Sequence, residues 1–232
     1  MKNPILSIKN LVFESNKKTN ILNIKKFEIH RGACYLLSGS MSSGKTLLLD
    51  MMSGNNSKYS GEIFYEDKLI SKHPKNIINS EFAYVKQNPS RPFFKTVESY
   101  IYDIVKSRSS SNIDAISKKV ANIMKIMNIK SIDKYKVRDL TPGQFRWVDL
   151  AANIASFPKI LFIDELEMHL SLKDIRSLSK ILYRKSNYEG VTIIASTLDK
   201  DFFKSLSSIN VTLNDGRITS VRSAVNSSKK HK

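Results

Sequence analysis

Cysteine occurs once in 232 residues, as Cys34, so no internal disulfide can staple this chain. Its position in the apolar stretch 33–38 reads as a buried core thiol rather than a reactive one. The four histidines are scattered without ligand spacing, and no metal-binding cluster is legible. Long hydrophobic runs are missing too. Nothing approaches the roughly 20 apolar residues that cross a bilayer, and residues 1–8 hold no apolar segment of signal-peptide length. The expectation is a protein made and kept in the cytoplasm. Acidic residues are few, 21 against 38 Lys and Arg, giving a formal charge of +17. Three sources fit that excess: a Lys-rich coding bias with solvated faces, an anionic membrane surface, or nucleic acid. Lys, Asn, Ile and Ser are abundant throughout, which ranks the bias first and the membrane surface second.

Glycine is also sparse, with eight residues, yet two of them frame the most informative stretch. Gly39-Ser40-Met41-Ser42-Ser43-Gly44-Lys45-Thr46 satisfies the phosphate-binding loop pattern G-x-x-x-x-G-K-[ST]. Residues 33–38 before it read as a buried strand and 46–52 after it as a helix, the context the motif needs. The glycines let successive N–H groups surround a polyphosphate, and the helix start adds its positive dipole end. Lys45 is placed to reach the β- and γ-phosphates, and the Thr46 hydroxyl to ligate magnesium.

A chain of 232 residues suits one large domain or a core with a subdomain. Residues 5–13 and 27–38 carry strand-like apolar patterns joined by a polar segment, 14–26. Strands are predicted at 60–65 and 82–86. From about 95 to 139 the period becomes helical, as in Val97, Tyr100, Ile101, Ile104 and Val105. Beyond it, 147–155 and 172–185 read as helices, and 160–163 and 191–195 as fully buried strands. The expected fold is α/β: a phosphate-loop nucleotide-binding core with a mainly parallel sheet, an antiparallel β-rich N-terminal part and an inserted helical subdomain. The expected division is a single domain over 1–226, with the helical insertion at about 88–145 and a polar basic tail at 227–232.

Asp164 and Glu165 end the apolar strand 160–163, where a doubly wound sheet presents its ligand-binding groups. Asp164 is expected to hold magnesium, directly or through water, and Glu165 to orient and polarise an attacking water. ATP or GTP binding follows more firmly than hydrolysis.

With these motifs in order, the chain resembles the ATP-binding subunits of ABC-type transporters over nearly its full length. Leu140-Thr141-Pro142-Gly143-Gln144 is similar to that family's L-S-G-G-Q signature, and Gln87 matches its magnesium-sensing glutamine. Residues 60–63 and 214–218 follow less specific family patterns. The resemblance implies ATP and Mg2+ as ligands and a second ATP-binding subunit as partner. Thr141, Gly143 and Gln144 would face the γ-phosphate held by the opposing phosphate loop. It also implies that Gln87, with 88–94 and the helical insertion, docks on a transmembrane subunit, which holds the chain at the inner face of a membrane.

Several positions depart from the family. Leu198 stands where a histidine contacting the γ-phosphate is expected, and leucine offers no hydrogen bond. Leu166 replaces a proline and Ser171 an aspartate, while Pro142 removes a backbone donor. The adenine-stacking aromatic falls at Ser15, with Phe13 as substitute. His169 sits on the wrong segment to replace the lost histidine. Low turnover is expected. Three functions remain: an ATPase subunit driving transport or a lipid, lipoprotein or cell-division complex; a regulatory ATP-binding subunit with little hydrolysis; and a soluble ABC-like ATPase. The last is weakened by the lack of a coiled-coil insertion or tandem nucleotide domains, and nucleic acid is not an expected partner.

Overall fold

The computed structural model describes residues 3–14 and 20–224. Strand β1 (Leu6–Glu14) pairs antiparallel with β2 (Asn20–Ile29), with Leu11 opposite Ile24 and Phe13 opposite Leu22. The chain then turns into β3 (Cys34–Ser38) and helix α1 (Lys45–Met52). Next, β4 (Ser60–Tyr65) returns to the other edge of β1, and the short β5 (Lys68–Leu69) completes a four-stranded antiparallel sheet of order β2-β1-β4-β5.

After α2 (Lys75–Glu81) and β6 (Phe82–Val85) come three helices: α3 (Val97–Ser107), α4 (Ile113–Ile126) and α5 (Pro142–Ala155). The remainder is β7 (Ile160–Ile163), α6 (Leu172–Asn187), β8 (Thr192–Ser196), β9 (Ile209–Asn214) and β10 (Arg217–Ser223). The second sheet runs β10-β9-β3-β8-β7-β6, with every neighbouring pair parallel except β10 with β9.

The parallel strands are apolar on both faces because both faces are covered. Cys34, Leu36, Leu161, Ile163 and Ile193 join a core with α3 to α6. Tyr35, Leu37, Ile160, Phe162 and Ile194 join a second core with α1 and the antiparallel sheet. Period-2 alternation thus divides one sheet between two cores. Cys34 is fully buried, and burial pushes its thiol pKa far up, in keeping with an inert core residue.

Two element boundaries differ from the sequence expectation. The polar joint placed at 14–26 becomes β2 from Asn20 onward, because Leu22 and Ile24 point inward between Asn and Lys residues and pair with β1. The stretch 27–38 is correspondingly split by a turn before β3. Helix α5 begins at Pro142 rather than 147: the Thr141 hydroxyl accepts the Gln144 N–H, and the Gln144 side chain accepts the Thr141 N–H, a capping box that contributes about 1 kcal/mol. Ser15 and the basic tail lie outside the described residues.

Candidate functional site

The phosphate loop leaves β3 at Ser38 and enters α1 at Lys45 in a shape set by its glycines. Gly44 occupies the left-handed region at φ 97° and caps α1, and a side chain there would press on Leu22. A Cβ on Gly39 would collide with the carbonyl oxygen of Leu213. The loop is braced from beneath by the turn between β9 and β10, where Gly216 N–H donates to Ser43 O at 3.2 Å and Gly216 O accepts Asn23 N–H at 2.9 Å. Ser42 holds φ 64° without being glycine, a strained conformation inside the loop itself.

Lys45 folds back over this loop. Its Nζ donates to Gly39 O at 2.9 Å, Ser40 O at 2.8 Å and Ser43 Oγ at 3.3 Å. Burial pushes its pKa below the ordinary lysine range, while Glu165, Asp164 and Glu167 pull it back. The ammonium is thus desolvated, its charge favoured by three carboxylates that it does not contact directly.

Those carboxylates come from the end of β7. Asp164 is 1% exposed, and its Oδ1 accepts the Ser196 hydroxyl at 2.6 Å. The same Ser196 Oγ accepts the Glu165 N–H at 2.7 Å, and Ser196 O accepts the Leu166 N–H at 2.9 Å. The turn out of β7 is thereby strapped to the end of β8. Glu165 adopts φ 48°, which aims the residue away from the strand direction. Lys45, Thr46, Asp164, Glu165 and Leu198 line one cavity of about 330 Å³, together with the rest of the loop from Met41 onward.

This donor set fits a magnesium-bound polyphosphate. The N–H groups of the loop and the Lys45 ammonium suit phosphate oxygens, and the Thr46 hydroxyl and Asp164 carboxylate supply the hard oxygen ligands that magnesium takes. Met41, 81% exposed, and the half-exposed Leu198 give the cavity an apolar rim.

Other expected residues are elsewhere. Gln87 is half-buried just beyond β6 and does not line this cavity. It flanks a larger one, about 770 Å³, bounded by Lys86, Asn88, Arg91, Tyr100, Arg108 and Asp149. Thr141 and Gln144 are exposed at the start of α5, also outside the 330 Å³ cavity. Gly143 lies against the turn after β7, where a Cβ would stand 2.8 Å from His169 O. His169 itself is exposed, at φ 59°, and Ser171 caps α6 through Asp174.

Sequence reasoning overlooked Arg146. It is 2% exposed, and its guanidinium donates to the carbonyls of Lys86 at 2.7 Å, Asp164 at 2.6 Å and Glu165 at 2.8 Å. The available signal was a polar stripe on the inward face of α5: Arg146, Asp149 and Asn153 recur at helical spacing and are all buried. Glu167 was overlooked as well. Its Oε1 accepts the Leu198 N–H at 2.6 Å, and its buried Oε2 has no partner.

Comparison with known proteins adds family context. Residues 22–167 match the family model described as ABC transporter. A putative ABC transporter ATP-binding protein of Clostridium tetani (strain Massachusetts / E88) is 27% identical over 201 residues, covering 87% of this chain and 45% of the relative. The chain thus spans about half the length of that relative. Among solved structures, cbiO1 of Clostridium perfringens, part of the ABC transporter complex cbiONQ, superposes with TM-score 0.82 at 23% identity, covering 96% of this chain and 90% of that one. A dimeric post-hydrolysis state of the ATP-binding cassette MJ0796, bound to ADP and Pi, gives TM-score 0.84 at 17% identity over 94% and 98% of the two chains. These likenesses establish a shared fold.

Proposed function

Because the chain belongs to the ABC transporter family, we propose that it is an ATP-binding subunit that dimerises around Mg-ATP and couples nucleotide binding and hydrolysis to a transmembrane partner. One observation carries the reading: Lys45 and Thr46 from the phosphate loop and Asp164 and Glu165 from the end of β7 line the same cavity. In this reading Gly39, Ser40, Met41, Ser42, Ser43 and Gly44 wrap the phosphates with backbone N–H groups, Lys45 neutralises the β- and γ-oxygens, and Glu165 accepts a proton from the attacking water. Magnesium, held by Thr46 and Asp164, would supply charge neutralisation of the phosphates.

The signature residues favour a dimer. Thr141, Gly143 and Gln144 are absent from the lining of their own cavity, so a γ-phosphate contact from them requires a second subunit facing the first. The exposed Phe93 and Phe94, between Pro92 and Lys95 of the 770 Å³ cavity, offer an apolar contact for a transmembrane subunit. Through that contact the chain sits at the inner face of a membrane, with an anionic surface as a further partner for its charge. Residues 1–226 act as one domain, with the helical part at about 88–145 as the transmitting piece.

Leu198 supports a second reading, a regulatory subunit that closes on ATP but turns over little, since its side chain brings no hydrogen-bond donor to the cavity.

Titration calorimetry with Mg-ATP tests the main reading. Lys45→Ala should weaken binding by at least about tenfold, since the charge-assisted contact it removes is of order 1.5–3 kcal/mol. Equal affinity in parent and variant overturns the assignment of the site.

A further inference from the structure

We infer that Arg146 is a positioning residue that sets the geometry of Glu165 and ties it to the segment carrying Gln87. The inference rests on the proposed role of Glu165 and extends it to a residue outside the nucleotide cavity.

Arg146 projects from the first turns of α5, next to Phe145, into a place where three chain segments meet. One guanidinium nitrogen, Nη1, holds the carbonyl of Lys86, the residue before Gln87. The other, Nη2, is shared by the carbonyls of Asp164 and Glu165. A planar fork of donors fixes both segments in one plane, which a flexible ammonium does not reproduce. Glu165 needs such a hold because its φ of 48° is an uncommon conformation for a non-glycine residue, and surrounding contacts must sustain it. Ser196 fixes the N–H of Glu165, and Arg146 fixes its carbonyl, so the residue is clamped on both sides.

The charge is placed for the same purpose. Burial pushes Arg146 below the ordinary arginine range, and Asp149, Asp164, Glu165 and Glu167 oppose that shift. Its Nε has no partner. A buried cation spending its bonds on three carbonyls of two loops, rather than on a paired carboxylate, is an inefficient way to stabilise a core. It is an effective way to couple two loops: any displacement of Lys86 is felt at the Glu165 carbonyl through one rigid group.

The test compares Arg146→Lys and Arg146→Gln with the parent in nucleotide-free hydrogen exchange, Mg-ATP affinity and steady-state hydrolysis. Arg146→Lys should lower kcat by about tenfold to a hundredfold, the scale of a misplaced reacting group, and leave Mg-ATP affinity within about twofold. Amides in both 86–88 and 164–168 should exchange faster together. An unchanged kcat, affinity falling in parallel with kcat, or faster exchange in only one segment overturns the proposal. Failure of both variants to fold also overturns it, since Arg146 would then serve the core alone. A parent that binds no Mg-ATP contradicts the proposed function instead, and the exchange result still reports on the two-loop coupling.

Discussion

The main-chain N–H of Leu198 donates to the Glu167 carboxylate at 2.6 Å, so the loop after β8 is held at this point through its backbone and not through a side chain. The leucine side chain is left half exposed, at 51%, on the rim of the cavity lined by Asp164 and Glu165. Its backbone tether would survive replacement of the side chain.

Leu198→His should therefore add a hydrogen-bond donor without dismantling the loop. The expected gain in kcat is roughly tenfold to a hundredfold, with Mg-ATP affinity little changed. Steady-state phosphate release at saturating Mg-ATP measures it. A variant that binds ATP normally and turns over no faster would remove the case for a weakened catalytic site.

Glu165→Gln keeps the side-chain shape and removes the carboxylate proposed to accept the proton. Hydrolysis should fall by about a hundredfold or more while ATP still binds, and the ATP-loaded variant should sediment as a dimer. Hydrolysis at the parent rate would exclude Glu165 from the proton transfer.

Glycine substitutions separate steric from conformational cost. Gly39→Ala drives a methyl into the Leu213 carbonyl, whereas Gly190→Ala, at φ 72°, meets nothing within 4 Å. Losses of about 3 kcal/mol and about 1 kcal/mol are expected, read from denaturant midpoints. Equal losses would show that the phosphate loop moves away from Leu213 at little cost.

Asp149 gives a pH dependence with a defined sign. Burial raises its carboxyl pKa, against the Tyr100 hydroxyl at 2.7 Å, Arg146, Arg108 and Asn153. The unfolded residue loses its proton near the ordinary value of about 3.9, earlier than the folded one. Between those two values the folded state holds more protons, so this residue's contribution to stability declines as pH rises through that window and is level above it. Asp149→Asn should remove the slope: its stability deficit is largest below about pH 4 and shrinks as pH increases. Parallel stability curves for parent and variant would contradict the raised carboxyl.

Part of the fold and site was legible because local chemistry fixes it. Gly39, Gly44, Lys45 and Thr46 announce a phosphate loop from the residue types alone, since few side chains tolerate that backbone and few present that charge. The run Ile160–Ile163 followed by two acids marked a strand end in the same way. β2 was harder to read. Its inward residues Leu22 and Ile24 are separated by polar neighbours, and only pairing with β1 settles which face is buried.

The sequence by itself thus determined the phosphate loop and the carboxylate pair, because each is encoded within a few consecutive residues, and the helical interruption between them, because its apolar period repeats along the segment. Tertiary structure alone decided that Ser196 would bridge Asp164 and Glu165, that Glu167 would hold the Leu198 backbone, and that Arg146 would bind carbonyls from residues 86, 164 and 165. Those contacts join segments 18 to 60 residues apart in the case of Arg146 and about thirty in the others. No local pattern specifies them, since a buried polar group takes whichever partner the packed sheet and helices bring within reach.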